Sequence, residues 1–330
     1  MQTIYIEKHL LEHPRAKRIL EKFTKKTVIT CNHYGEVFNR KNQNFRQQKQ
    51  NPSLIIAEKK GKKVLPTPPE FGIGGKLNYY FSHLLNCPFD CRYCFLQGMY
   101  QSAHYVLFIN YEDFMTEIKN TINNTSETCY FFSGYDSDSL AYDPISYFTQ
   151  EFIPFFSQLN NCYLELRTKS ANIRPLLKHE APDNCIVAFS LNPSSIADKI
   201  EHKAASTSKR LKAMQQLAQH GYTIGLRFDP LIYTENFEAV YRDLFMDIKK
   251  HLNVNSIHSI SIGGLRFPSK MHDKLIKLYP ESTLLHQARY PVGKNKSYKK
   301  TVEQHLIKTI TEAVKEYFPN STLFSCANNS

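Results

Sequence analysis

From about residue 76 onward the sequence alternates between short apolar runs and amphipathic stretches, and this alternation limits the folds open to the chain. Six apolar runs predict strands at 77–81, 129–132, 163–167, 185–191, 222–228 and 256–262. Helices are predicted at 111–122, 145–159, 171–178, 206–220, 236–251 and 301–317. Strands that alternate with helices form β/α units with a parallel sheet. An open doubly wound sheet would give the same order, but polar residues cluster just beyond the strand ends, which favours a barrel-type arrangement.

Three cysteines follow the first of these strands. Cys87, Cys91 and Cys94 have three and then two residues between them. Thiolates hold iron–sulfur clusters, and three of them would leave one iron of a four-iron cluster open, as a catalytic metal keeps a free position. The alternative is a structural zinc site completed by His83 or His104. No second cysteine pair lies nearby, so the iron–sulfur interpretation is favoured.

The remaining cysteines are scattered singly, and Cys129, Cys162 and Cys185 fall in apolar runs. This is not a disulfide framework, so a reducing compartment is expected. The first eleven residues contain charged side chains and do not predict a signal peptide. No uncharged apolar run approaches the ~20 residues that cross a bilayer. We expect a cytoplasmic protein without membrane association.

Positive charge is concentrated at the amino terminus. The 330-residue chain has a net charge of +12, and residues 1–66 hold fifteen Lys/Arg against five Asp/Glu. We therefore predict a basic N-terminal region, 1–70, ahead of a main region, 71–330, with prolines at 66, 68 and 69 marking a linker. Within the N-terminal region we predict a helix in 1–30, a flexible loop at 40–50 and a strand at 54–57. Such a region suggests nucleic acid as partner; the alternative is a solvated basic extension.

Polar motifs recur at the ends of successive predicted strands. In isolation each is an ordinary polar loop, but their repetition at one end of the sheet predicts a shared site. The motifs are Phe132-Ser-Gly-Tyr135-Asp-Ser137-Asp138, Arg167-Thr-Lys169-Ser-Ala-Asn172, Ser190-Leu-Asn192-Pro193, Glu201-His202, Arg227-Phe-Asp229-Pro230 and Gly263-Gly-Leu-Arg266-Phe-Pro268.

The cysteine run, with Tyr93 before its third cysteine, resembles the signature of the radical S-adenosylmethionine enzymes. The order of all these motifs along the chain is similar to that of the spore photoproduct lyase family. The resemblance implies an α/β partial (β/α)6 TIM-type barrel with a basic N-terminal subdomain. It also implies a [4Fe-4S] cluster on the three cysteines, S-adenosyl-L-methionine at the open iron, and an electron donor such as a flavodoxin or ferredoxin.

The implied activity is that of a carbon–carbon lyase in DNA repair. In this family a 5′-deoxyadenosyl radical removes a hydrogen from a methylene-bridged thymine dimer, the bridging bond breaks, and a hydrogen is returned. The protein binds, orients and shields the reactants. The resemblance implies S-adenosylmethionine contacts at Ser133, Gly134, Ser137, Lys169 and Ser190.

Tyr93 and Tyr135 are the expected catalytic residues: Tyr93 matches a tyrosine that the family resemblance implies in relaying the radical, and Tyr135 stands at the position from which the hydrogen is returned. The family's lyases carry a cysteine where this chain has Tyr135, and a tyrosine where it has Phe95. These differences favour one alternative, radical chemistry on an RNA or protein substrate. Another alternative is a non-enzymatic, metal-containing nucleic-acid-binding protein.

A basic, tyrosine-containing segment at 289–300 completes the expected site. It has five basic residues, two tyrosines and no acidic residue, and Gly293 beside Lys294 predicts a β-hairpin. The family inserts a hairpin into damaged DNA near this place, where basic side chains would contact phosphates and tyrosines would stack on bases. The alternative is an ordinary charged loop. Substrate contacts are expected from Arg227, Asp229, Arg266, Lys294 and Lys296.

Overall fold

The computed structural model of the chain describes residues 2–68 and 71–326. In chain order its strands are β1 (Gln2–Glu7), β2 (Lys26–Cys31), β3 (Leu54–Ala57), β4 (Val64–Pro66), β5 (Leu77–Phe81), β6 (Leu84–Leu85), β7 (Asp90–Cys91), β8 (Tyr105–Phe108), β9 (Cys129–Phe132), β10 (Cys162–Thr168), β11 (Cys185–Ser190), β12 (Glu201–His202), β13 (Thr223–Leu231), β14 (Ile257–Gly264), β15 (Arg266–Pro268), β16 (Tyr290–Val292), β17 (Asn295–Ser297) and β18 (Thr322–Cys326). Its α-helices are α1 (Pro14–Leu20), α2 (Phe45–Gln50), α3 (Leu96–Met99), α4 (Tyr111–Asn123), α5 (Asp143–Ser146), α6 (Phe148–Ser157), α7 (Ser194–Ile200), α8 (Thr207–Gln219), α9 (Phe237–His251), α10 (Ser269–Leu278), α11 (Thr283–Gln287) and α12 (Lys300–Tyr317).

The main sheet has eight strands in the order β18-β14-β13-β11-β10-β9-β5-β4. Its strands run parallel from β5 to β18, and only the edge strand β4 is antiparallel to its neighbour. The sheet curls into a half-barrel, which confirms the predicted α/β partial barrel. All six predicted strands are present, and β18 adds a parallel strand that was not predicted.

The barrel strands form where apolar side chains run almost without interruption. All six residues of β11 are buried, as expected for a parallel strand covered on both faces. Helix α8 begins after Ser206, whose Oγ accepts a hydrogen bond from the Lys209 N–H at 3.4 Å. It is followed by Gly221 at φ +99°, a left-handed conformation that suits glycine at a helix end.

Two predicted helices differ from the structure. The helix predicted at 171–178 is wrong, because this stretch contains only a 3-10 turn at Leu176–Lys178. The Ser170 Oγ accepts a hydrogen bond from the Asn172 N–H at 3.0 Å, and such local side-chain bonds compete with helix formation. The helix predicted at 145–159 is broken between α5 and α6 at Tyr147, which has φ +56°.

The N-terminal region contributes to a second sheet, with the order β2-β1-β3-β8-β6. The helix expected in 1–30 is limited to α1, which lies between two strands. The flexible loop expected at 40–50 is wrong for its second half, which forms α2. The predicted linker residue Pro69 and residue 70 lie outside the described residues. Strands β6 and β8 of this second sheet come from the predicted main region, 71–330. The division of the chain into regions 1–70 and 71–330 stays a prediction.

The segment near 289–300 forms the expected hairpin. Strands β16 and β17 pair antiparallel, and the turn between them contains Gly293 at φ +57°. Strand β15 pairs with the other side of β17. The hairpin therefore packs beside the segment that directly follows β14, the last of the predicted barrel strands. Across the described residues, no helix combines the length and apolar character that a bilayer crossing requires.

Candidate active site

The carboxyl ends of the barrel strands and the cysteine loop enclose a cavity of about 410 Å³. Loops that follow parallel strands meet at this edge of a barrel, so residues distant in sequence share one surface. The predicted site residues that line the cavity are Cys87, Cys91, Tyr93, Cys94, Gly134, Tyr135, Ser137, Lys169, Ser190, Asp229 and Arg266.

The three cysteines border the cavity as free thiols. Cys91 is buried, whereas Cys87 and Cys94 are half-buried. Burial raises the pKa of Cys91 to about 12 and also raises the pKa of the other two thiols. Metal binding here would therefore release protons.

This donor set fits a multi-iron cluster. Among residues 2–68 and 71–326, no three His, Cys, Asp or Glu side chains are grouped to hold one metal ion. In a cluster each thiolate binds a different iron, so the thiols need only surround the same cavity, as they do. The histidines of the zinc alternative are elsewhere: His83 stacks on Phe148 at 3.9 Å between ring centroids, and His104 Nδ1 accepts from the Ser53 N–H at 3.0 Å.

A buried carboxylate, Glu201, organises the wall behind the cysteines. It lies opposite Cys91 in the β12–β7 pairing and accepts hydrogen bonds from the Tyr93 hydroxyl, the Arg210 guanidinium and Asn192 Nδ2. Burial by itself would raise the pKa of Glu201, but Arg210 and Lys169 lower it. The carboxylate therefore stays ionised and fixes the Tyr93 ring in place.

The sequence motifs placed Glu201 in the predicted shared site without a specific role, and Arg210 was not predicted to belong to it. One signal was available: Arg210 lies on the apolar face of α8, whose buried residues include Leu211 and Met214. A charged side chain in such a stripe requires a buried partner. The identity of that partner depends on the tertiary structure.

Asp138 ties together the loops after β9 and β10. Its carboxylate accepts from the Leu140 and Ala141 N–H groups, from Thr168 Oγ1 at 2.7 Å and from the Lys169 N–H at 2.6 Å. Burial raises the pKa of Asp138, and these hydrogen bonds oppose the rise. The two loops are thereby held as one unit.

The same unit contains the predicted serine–glycine pair. A Cβ at Gly134 would lie 2.9 Å from Ser139 Oγ and 3.0 Å from the Arg167 carbonyl oxygen, so glycine allows the loops to approach. Ser133 is buried, and its Oγ lies 2.8 Å from Ser139 Oγ. Ser133 therefore lies behind the cavity wall, whereas Ser137, which donates to the Asn86 carbonyl at 2.8 Å, borders the cavity.

Lys169 brings a positive charge to the thiol side of the cavity. Its Nζ lies 5.4 Å from the centroid of the Tyr93 ring. Burial would lower the pKa of Lys169, but Cys91 and Glu201 produce a net rise. A cation here can attract a carboxylate group of a ligand.

Aromatic rings form another part of the wall, around Tyr135. This ring stacks on Tyr80 with 4.2 Å between centroids and an angle of 26°. Phe71 and Phe95 each approach Tyr135 edge-on at 6.4 Å. Burial and then Tyr80 raise the pKa of Tyr135, so its hydroxyl keeps its proton at neutral pH.

The predicted substrate contacts divide into three groups. Arg266 Nη2 lies 3.2 Å from Asp229 Oδ2, and both residues line the cavity. Lys294 and Lys296 are on the hairpin outside the cavity, and Lys296 Nζ lies 2.6 Å from Asp273 Oδ1. The expectation for Arg227 is wrong, because its side chain is 0% exposed and pairs with Glu165 inside the barrel.

The fold is a parallel half-barrel, and three cysteines follow its first predicted strand. This combination defines the class of protein that the sequence predicted, the radical S-adenosylmethionine enzymes. A model of the spore photoproduct lyase family matches residues 1–325, and the chain belongs to this family. The family resemblance noted in the sequence is thus confirmed.

Curated and solved relatives match over nearly the whole length. Spore photoproduct lyase of Bacillus subtilis (strain 168) is 25% identical over 339 residues, covering 98% of this chain and 97% of that protein. Its counterpart in Geobacillus sp. (strain Y412MC61) is 21% identical over 336 residues, covering 97% and 96%. A solved spore photoproduct lyase variant with bound AdoMet and dinucleoside spore photoproduct has a TM-score of 0.84 at 19% identity, covering 98% and 97%.

Proposed function

We propose that this protein is a radical S-adenosylmethionine lyase that repairs spore photoproduct, a bridged thymine dimer in DNA. One observation carries the proposal. A single cavity is bordered by three thiols, a lysine, an aromatic wall and Asn295 at the edge of the basic hairpin. The protein is a member of the spore photoproduct lyase family, and solved relatives include lyases with AdoMet and with dinucleoside spore photoproduct.

Cys87, Cys91 and Cys94 would hold a [4Fe-4S] cluster. When bound, the cluster and S-adenosyl-L-methionine supply a 5′-deoxyadenosyl radical at the cavity. Lys169, which lines the cavity beside Tyr93, would neutralise the methionine carboxylate, and Ser137 and Ser190 border the same space. Gly134 lets the loops close around it. Ser133 supports this wall from behind through Ser139.

The two tyrosines have different surroundings and different proposed roles. Tyr135 carries a protonated hydroxyl in the cavity wall, and it would return a hydrogen atom to the thymine radical left by bond cleavage. Its O–H bond would break as the new C–H bond forms, which would leave a tyrosyl radical on Tyr135. That radical would oxidise Tyr93 by one electron and take up a proton from solvent. The Tyr93 hydroxyl donates a hydrogen bond to Glu201, so the carboxylate would receive the Tyr93 proton in that step.

DNA would approach from the hairpin side. Asn295 of β17 lines the cavity, so the hairpin reaches from the site to the surface. Lys294 and Lys296 would contact phosphates, while Arg266 and Asp229, which line the cavity, would face the lesion. A lesion that stacks weakly costs less to extrude from the duplex.

The proposal also implies a one-electron donor such as a flavodoxin or ferredoxin. A cytoplasmic location is proposed because seven cysteines of the described chain are free thiols, and free thiols persist in a reducing compartment.

The first experiment is anaerobic. The protein is reconstituted with iron and sulfide, reduced, and mixed with S-adenosylmethionine with or without DNA that contains spore photoproduct. We expect 5′-deoxyadenosine together with repaired thymine. No deoxyadenosine from a protein with a verified cluster would contradict the radical proposal and favour a metal-containing DNA-binding protein.

A second candidate function keeps the radical chemistry but changes the substrate to an RNA or protein residue. Tyr135 and Phe95 favour it, because they differ from the cysteine and tyrosine that the family resemblance implies at these positions. Deoxyadenosine without repaired thymine would support this candidate.

A further inference from the structure

Helix α2 of the N-terminal region contacts the cysteine loop. Lys49, near its end, is only 18% exposed, and its Nζ lies 2.5 Å from Asp90 Oδ1. The same Nζ donates to Gln97 Oε1 at 2.7 Å. Asp90 directly precedes Cys91, and Gln97 Nε2 donates to the Cys91 carbonyl oxygen at 2.5 Å. Lys49 therefore bridges Asp90, the neighbour of Cys91 in the chain, and Gln97, which is hydrogen-bonded to the Cys91 carbonyl group.

Neighbouring side chains complete this network. The Tyr279 hydroxyl donates to Gln97 Oε1 at 2.5 Å and to Asp90 Oδ1 at 3.3 Å. Arg92 Nη1 lies 3.0 Å from Asp90 Oδ1, and its guanidinium lies 4.1 Å from the Tyr279 ring centroid. The helix itself is fixed, because Gln48 Oε1 accepts from the Ala103 N–H at 2.9 Å.

The charges in this network do not cancel. Lys49 and Arg92 are two cations against the single carboxylate of Asp90, so one net positive charge remains in a poorly exposed place beside the thiols. A fixed positive charge stabilises the more negative, reduced state of a nearby cluster, because charge and hydrogen bonding set cluster potentials.

We infer that Lys49 is a positioning residue for the iron–sulfur cluster, which holds the cysteine loop around Cys91 and raises the reduction potential of the cluster through its charge. This inference rests on the proposed function. It gives the basic N-terminal region a part in the radical site besides any contact with DNA.

The test measures the cluster itself, without S-adenosylmethionine or DNA. Wild-type protein and the Lys49→Met variant are reconstituted, and the reduction potential is measured by a redox titration followed by electron paramagnetic resonance. Iron and sulfide per chain are measured before and after gel filtration. We expect Lys49→Met to have a more negative potential and to lose at least twofold more iron than the wild type.

Three further variants separate charge from folding. Lys49→Arg keeps the charge and should restore the wild-type potential. Asp90→Asn removes the opposing charge and should shift the potential in the positive direction, which a general loss of structure would not do. Lys41→Met, at an exposed lysine of the same region, should behave as wild type.

A Lys49→Met protein with wild-type potential and iron retention would overturn the inference and leave the proposed function intact. A shift of the same sign in Asp90→Asn would also overturn it. A wild-type protein that takes up no cluster would overturn the proposed function and, with it, the inference.

Discussion

Arg227 and Glu165 face each other inside the half-barrel, with 2.7 Å between Nη2 and Oε2 and side chains that are 0% and 1% exposed. They come from β13 and β10, which are separated by β11 in the sheet, so the pair reaches across one strand on the inner face. Removing one partner of a buried ion pair leaves an uncompensated charge.

Replacing Glu165 by alanine should therefore lower the free energy of unfolding by about 3–5 kcal/mol. Urea denaturation at neutral pH measures this change. The matched control is Glu127→Ala, which breaks a surface pair with Lys76 and should have a much smaller effect. Equal effects of the two substitutions would contradict a structural role for the buried pair.

The stability that Glu165 contributes should depend on pH. Burial would raise its pKa, but Arg227 and Arg167 lower it to about 2, from an ordinary value of 4.5. Since the folded-state pKa lies below the unfolded one, the contribution is present above the unfolded pKa and is lost as the pH falls toward the folded one. We expect the stability difference between wild type and Glu165→Gln to shrink between about pH 5 and about pH 2.5. A constant difference in urea titrations across this range would count against the assignment.

Tyr93 and Glu201 offer a test of the proposed tyrosine relay. Tyr93→Phe removes the hydroxyl that donates to Glu201 but keeps the ring, and Asn192 and Arg210 still hold the carboxylate. We expect deoxyadenosine formation to continue while repaired thymine decreases, so the ratio of the two products rises severalfold. Chromatographic quantification of both products measures the ratio. An unchanged ratio would remove Tyr93 from the hydrogen path.

Tyr135 should control the return of hydrogen to the product. Tyr135→Phe is expected to reduce repaired thymine at least tenfold while deoxyadenosine still forms, because the ring and its stack on Tyr80 remain but the O–H bond is lost. In deuterated water the wild type should place solvent deuterium in the repaired thymine, since a phenolic hydrogen exchanges with solvent.

Two variants act as comparisons for this prediction. Tyr135→Cys should restore repair through a thiol, and Tyr80→Phe, which preserves the stacked ring, should repair at close to the wild-type rate. Wild-type repair by Tyr135→Phe would show that another group supplies the hydrogen.

The hairpin should contribute electrostatically to DNA binding. Lys294 is exposed near its turn, and replacing it by alanine should weaken binding uniformly across sequences. The slope of log affinity against log salt should decrease by about 1. Lys308→Ala, an exposed lysine on α12, serves as the control and should leave the slope unchanged. Fluorescence anisotropy over a salt series measures both, and identical slopes would place the phosphate contacts elsewhere.

Sequence patterns predicted the elements whose signals are local. Continuous apolar runs marked the barrel strands because parallel strands are buried on both faces. The spacing of Cys87, Cys91 and Cys94 predicted a cysteine loop at the cavity, and Gly293 beside Lys294 predicted the hairpin turn. In each case a few consecutive residues carry the physical constraint.

Patterns were less informative where a residue's environment comes from distant parts of the chain. Arg227 was expected at the substrate, but its side chain is buried in an ion pair with Glu165 inside the barrel, and this partner lies 62 residues away in the sequence. Helix α2 was expected to be a loop because five of its six residues are polar. It is held by tertiary contacts such as that between Lys49 and Asp90.

The sequence by itself therefore determined the class of fold, the cysteine loop and the family. Only the tertiary structure decided which charges are paired, with Glu201 joined to Arg210 and Tyr93 and Glu165 joined to Arg227. The physical reason is that residue spacing, turn preference and apolar periodicity are properties of a few consecutive residues. A buried charge, by contrast, requires an opposite charge close to it in space, and that partner can come from any distance along the chain.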